Sequence, residues 1–183
     1  MKPILSEKFL KAKEKCKALS VGLTDWLLIV SIMNQELEVF YLGDSIEKLP
    51  VSTSKNPPSC IENSFGTPWG LHRIMDKIGG GAPLGMVFKG RKAIGHCYQN
   101  LSAIENEKNL ITSRIFRLEG LEEGVNKGGV VDTYDRYVYF HGTNHEDKIG
   151  CPASAGCIQL TNAEIIRLFD LLPTDTLVFI DKD

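Results

Sequence analysis

The sequence predicts a mainly-β domain, a sandwich or closed sheet, with one helix near each end of the chain. Three observations carry that prediction. Short apolar or alternating runs dominate from residue 26 onward, punctuated by turn signals such as Leu42-Gly43-Asp44, Asn56-Pro57-Pro58 and Gly79-Gly80-Gly81. Helical spacing of apolar residues is confined to the two ends. The 183 residues hold no repeat and no low-complexity linker, so a single core is expected.

Taken in order, residues 5–18 place Phe9, Ala12, Cys16 and Leu19 at helical spacing, which predicts a docked helix within an N-terminal extension (1–20) ahead of the main domain (21–183). Lys11, Lys13, Lys15 and Lys17 read as its solvated face. Trp26-Leu27-Leu28-Ile29-Val30 opens a strand over 26–33 and is too short to span a bilayer. Residues 36–42 complete the first core hairpin. Further strands are expected over 46–52, 70–76, 85–89, 110–118 and 136–140, with a short helix or loop over the polar stretch 100–109. Thr161-Asn162-Ala163-Glu164 has the form of a capping box. It opens a helix buried through Ile165, Ile166, Leu168, Phe169 and Leu172 and ended by Pro173. Thr176 to Ile180 forms the last strand.

A net charge of −2 with 21 scattered basic residues excludes a nucleic-acid footprint. Five cysteines, odd in number and widely spaced, suit free thiols in a reducing compartment. Residues 1–20 lack the basic start and apolar run of an export signal, so a cytoplasmic location is expected, or a periplasmic one if a leader has been removed. No membrane insertion is expected, and no feature calls for a cofactor or a catalytic metal.

The chemistry concentrates in Tyr139 to Leu160. His141 lies sixteen residues before Cys157, and that cysteine ends the turn Ser154-Ala155-Gly156-Cys157. A thiol is a strong nucleophile as thiolate, and an adjacent imidazole promotes that form. Glycine before the cysteine lets the backbone turn sharply and aim N–H groups at a developing oxyanion. The pattern reads as a cysteine acyl-transfer site.

Over residues 26–181 the chain resembles the L,D-transpeptidase (YkuD-type) catalytic domain family. The likeness rests on Pro50-Val51-Ser52-Thr53, Thr67-Pro68-Trp69-Gly70, Tyr139-Phe140-His141-Gly142-Thr143, Ser154-Ala155-Gly156-Cys157-Ile158 and Leu177-Val178-Phe179-Ile180. The resemblance implies that family's β-sandwich and a cysteine enzyme acting on peptidoglycan stem peptides or muropeptides. It makes Cys157 the nucleophile and His141 the general base, later acid. Backbone N–H groups around Ala155, Gly156 and Cys157 become the oxyanion hole, with Ser154 in the same turn, and Gly142 and Thr143 orient the ring. His72, Arg91 and Gln159 are the candidate substrate-binding residues.

Two departures from the family pattern stand beside the thiol. Ala155 replaces a usual histidine, and Gln159 replaces a usual arginine or asparagine. With the missing export signal, they point to an L,D-carboxypeptidase that trims tetrapeptides in murein recycling. The alternatives are cross-link formation or D-amino-acid exchange, and a non-catalytic stem-peptide binding module. A further alternative is structural zinc on His141, His145, Cys151 and Cys157. His96 and Cys97 read as packing, and glycines 79–81 as a flexible edge of the cleft.

Overall fold

A computed structural model of the protein describes residues 7–183. Helix α1 (Glu7–Ala18) agrees with the expected helix, whose first two residues lie outside the described residues. The strands follow as β1 (Trp26–Ser31), β2 (Glu36–Tyr41), β3 (Asp44–Pro50), β4 (Gly70–Ile78), β5 (Met86–Lys89) and β6 (Lys92–Cys97). A short helix α2 (Ala103–Asn106) precedes β7 (Ile111–Gly120), β8 (Tyr139–Gly142) and β9 (Ile158–Leu160). Helix α3 (Asn162–Leu171) and β10 (Leu177–Asp181) complete the order.

Ten strands form one hydrogen-bonded sheet in the order β3-β2-β1-β10-β4-β7-β5-β6, with β8 joined to β7 and β9 joined to β8. β1 and β10 run parallel, and most other pairs are antiparallel. Side chains from distant parts of this sheet meet in one core. Leu28, Val30, Val178 and Ile180 pack there with Phe116, Phe140, Ile158 and Leu160, and α3 adds Ile165 and Leu168. The mainly-β class with a helix near each end is the observed one.

The first strand is apolar at successive positions because both of its faces are covered. Leu27 and Ile29 turn the other way from Leu28 and Val30, and join Phe40, Leu71, Leu177 and Phe179 beneath Phe9, Ala12 and Cys16 of α1. The helix therefore seals a sheet face that would otherwise expose large apolar side chains. The Phe9 and Phe40 rings lie 5.0 Å apart at this seam.

Several elements differ from the sequence expectation. β6 carries mostly exposed and half-buried residues, so no apolar alternation announces it. β9 spans three residues, too few for a periodic signal. The strand expected over 136–140 begins only at Tyr139, because Arg136 donates its amide to Asp132 O and Tyr137 takes φ +57°, a turn rather than an extended path. Glycines 79–81 do not line the cleft over Cys157. A side chain at Gly79 would meet Phe88 at 2.8 Å, and Gly80 lies against Phe169. Only half of the capping box forms: Thr161 Oγ1 accepts Glu164 N–H at 3.2 Å, while the Glu164 carboxylate turns to Arg167.

Candidate active site

Strands β8 and β9 lie side by side and parallel, with Phe140 opposite Ile158, His141 opposite Gln159 and Gly142 opposite Leu160. Cys157 is the residue just before β9, so the pairing brings the thiol-bearing turn alongside Tyr139. His141 and Tyr139 share one face of β8 by strand alternation. The thiol joins that side, packing against the cluster of Phe88, Ile115 and Tyr139. The pairing thus sets Cys157, sixteen residues on in sequence, just ahead of β9 and alongside Tyr139, two positions from His141 along β8.

The nucleophile turn is braced by residues 51–55. Gly150 N donates to Val51 O, Ala153 and Ser154 N to Thr53 O, and Gln159 exchanges both backbone bonds with Ser52. Inside the turn, Ser154 Oγ donates to Cys157 O at 2.6 Å and accepts from Gly156 N at 3.2 Å. Gly156 sits at φ +120°, outside the range L side chains adopt, with the Gly66 and Phe65 carbonyls 3.4 and 3.5 Å from where a Cβ would be. Among the described residues, the Ala155 and Cys157 amides donate to no other group of the turn.

His141 is 3% exposed, and its Nδ1 lies 2.7 Å from Gly142 O. A carbonyl only accepts, so this bond places the ring proton on Nδ1 and leaves the Nε2 lone pair as the accepting one. Burial holds the imidazole down to about 4, against a smaller opposing contribution from the Gly142 hydrogen bond. The Cys157 thiol donates to Tyr137 O at 3.6 Å. Burial pushes it up to about 11, while a backbone bond at Tyr139 and the Arg136 guanidinium pull it back. Both groups therefore rest uncharged at neutral pH.

A cleft of about 260 Å³ opens over the thiol. Ala155, Gly156 and Cys157 form one wall, and Glu62, Phe65 and Arg136 stand among the residues opposite. Larger hollows occur elsewhere, such as the one between α1 and the end of β10, but none touches the chemistry.

Other expected site residues fall into three groups. Gly142 is required twice over: its carbonyl holds the ring, and a Cβ there would meet Asn162 Oδ1 at 2.6 Å and Thr112 O at 2.8 Å. Arg91 does not line the cleft but touches it through Tyr137, donating to Tyr139 Oη at 3.2 Å and stacking 4.6 Å over the Tyr137 ring. Thr143, His72 and Gln159 depart from expectation. The Thr143 hydroxyl accepts from His145 N, so it orients the next loop rather than the His141 ring. His72 is fully buried on β4, with its nitrogens on Gly70 O and Thr133 Oγ1, so no ligand reaches it. Gln159 is 2% exposed and donates to Asn109 Oδ1 at 2.7 Å, which commits its amide to the fold.

Two residues that the sequence reading passed over matter here. Arg136, in the turn before β8, faces the cleft, and its signal was a lone arginine in the tyrosine-rich run leading to the histidine. Asn162 fixes the floor behind Gly142: its Oδ1 accepts from Thr112 and Ser113 hydroxyls, and its Nδ2 donates to Thr143 O and Glu146 Oε1. The zinc alternative fails, because among the described residues no three His, Cys, Asp or Glu groups converge to hold a metal ion.

Comparison with known proteins bears on the fold and the family. The YkuD L,D-transpeptidase catalytic domain matches residues 25–180. A putative L,D-transpeptidase, YqjB of Bacillus subtilis (strain 168), is 41% identical over 51 residues, covering 28% of this chain and 29% of the relative. An L,D-transpeptidase from Mycobacterium smegmatis is similar in structure, with TM-score 0.54 and 18% identity over 86% of this chain and 58% of that one. L,D-transpeptidase 3 from Mycobacterium tuberculosis, solved with a faropenem-derived adduct, gives TM-score 0.54 and 12% identity over 86% and 60%. The chain thus spans 60% or less of each of these three relatives. Among the described residues, no helix is long and apolar enough to cross a membrane. The chain belongs to the YkuD family of L,D-transpeptidase catalytic domains.

Proposed function

We propose that the protein cleaves the L–D bond before the terminal D-Ala of peptidoglycan stem tetrapeptides, with water as the acyl acceptor, as an L,D-carboxypeptidase of murein recycling. The observation that carries this reading is the His141 tautomer: Nδ1–H is held by Gly142 O, which leaves Nε2 as the accepting nitrogen, on the strand face that His141 shares with Tyr139, against which Cys157 packs.

In the first half-reaction the Cys157 sulfur attacks the carbonyl of the L-centre residue, diaminopimelate or lysine, and its proton passes to His141 Nε2. The Ala155 and Cys157 amides receive the oxyanion. The C–N bond then breaks, D-Ala leaves as the amine with the proton from the imidazolium, and a thioester remains. Water, deprotonated by Nε2, attacks the thioester, and the sulfur departs and regains its proton. Ala155 supports water as acceptor: it is exposed beside the thiol and offers no side-chain hydrogen-bonding group to seat an incoming amine.

Incubation with a disaccharide-tetrapeptide tests the reading. D-Ala release with a tripeptide product is expected, whereas cross-linked dimers as the main product would overturn the choice of water. Intact-mass analysis after a carbapenem should show one adduct on the wild type and none on Cys157→Ala. His141→Ala should acylate at least about 100-fold more slowly.

A further inference from the structure

The same cleft contains a cation that the scheme above does not use. Arg136 is half-buried, and its guanidinium donates to Ser59 O at 3.1 Å, Ser64 Oγ at 3.4 Å and Gly66 O at 2.9 Å. All three acceptors are uncharged. A guanidinium has five N–H donors, so two remain. Among the described residues, no carboxylate lies within ion-pair distance of it, although twelve such contacts occur elsewhere in the chain. Glu62 and Asp135 line the cleft as well, beyond that distance. A partly desolvated guanidinium whose nearest carboxylates stand beyond ion-pair distance, Glu62 acting on it only through space, can take up an anion directly.

We propose that Arg136 binds the free α-carboxylate of the residue that leaves, and so makes the site selective for cleavage one residue from a peptide's C-terminus. The inference rests on the peptidase reading given above. Covalent geometry supports it. The carboxylate carbon of a single-residue leaving group lies three bonds beyond the scissile carbonyl carbon, within roughly 4 Å of it. A carbonyl held at Cys157 therefore places that carboxylate inside the same 260 Å³ cleft that Arg136 lines. A longer leaving group would put a neutral amide there instead and leave the cation without its partner. The three bonds to residues 59–66 hold the guanidinium in place before substrate arrives, so little side-chain order is lost on binding.

The test compares wild type with Arg136→Gln and Arg136→Lys in two measurements. The first is alkylation of Cys157 by iodoacetate and by iodoacetamide, followed on the Cys157 peptide by mass spectrometry, which needs no turnover. The iodoacetate-to-iodoacetamide rate ratio is expected to fall about tenfold in Arg136→Gln and to survive largely in Arg136→Lys, which keeps the charge. The second is cleavage of a stem tetrapeptide with a free or an amidated C-terminus. Wild type should prefer the free acid, mainly through KM, and Arg136→Gln should lose the preference. An unchanged ratio in Arg136→Gln would overturn the proposal, as would an equal fall with both reagents in both variants, the sign of a residue that only braces the loop. Arg136-dependent alkylation without any D-Ala release would fail the peptidase reading while supporting the anion site.

Discussion

Acidification from pH 7 to pH 5 should destabilise this protein by about 4 kcal/mol, and the cause lies in two buried imidazoles. His72 and His141 are each held down to about 4 by burial. An unfolded histidine titrates near 6.5. Between those values the unfolded chain binds close to one more proton per histidine than the folded chain, so stability falls as pH drops from 6.5 and the loss saturates below about 4. Evaluating the linkage at the two pH values gives about 1.8 kcal/mol for each histidine. The window lies above the range where Asp132 and Glu105, whose carboxyls are held below their ordinary values by local hydrogen bonds, lose their own contribution. Urea unfolding at pH 5, 6 and 7 measures the slope. His72→Gln should be less stable at pH 7, since Thr133 Oγ1 and Gly70 O lose their ring partner, yet it should show about half the pH dependence. Equal stability at pH 5 and pH 7, or a slope untouched by His72→Gln, would refute the assignment of these histidines as buried and neutral.

Two further outcomes are expected from the backbone. Gly156→Ala forces a side chain to φ +120° and should cost about 1–3 kcal/mol of stability while slowing carbapenem acylation well beyond tenfold, read by urea unfolding and by adduct mass. Thr161→Ala removes the hydroxyl that accepts Glu164 N–H at the start of α3 and should cost about 1 kcal/mol with little effect on Cys157 reactivity. A loss of acylation in Thr161→Ala would mean that α3 positions the site more directly than its cap suggests.

The site and its frame differ in how far local sequence anticipates them. Cys157, His141, Gly156 and Ser154 stood out as candidates because acyl transfer demands particular residue types in a particular order, and the structure sets them in one turn and one adjacent strand. Gly142 was readable as a neighbour of the histidine, and its carbonyl holds the ring. His72 and Gln159 misled for a common reason. Each lies near a motif in sequence, but alternation along a strand turns its side chain into packed surroundings, where Thr133 and Asn109 hold it. Arg136 was missed because its meaning depends on Ser59, Ser64 and Gly66, at least seventy residues away.

By itself the sequence determined the mainly-β class and the two terminal helices, and singled out His141 and Cys157 as the candidate pair, since turn chemistry, apolar period and reactive residue type are local properties. Only the tertiary structure decided which imidazole nitrogen carries the proton, which polar side chains are locked into the core, and which cation lines the cleft over the thiol. Those depend on distances between segments far apart in the chain. The parallel pairing of β8 with β9 and the loop of residues 59–66 supply them.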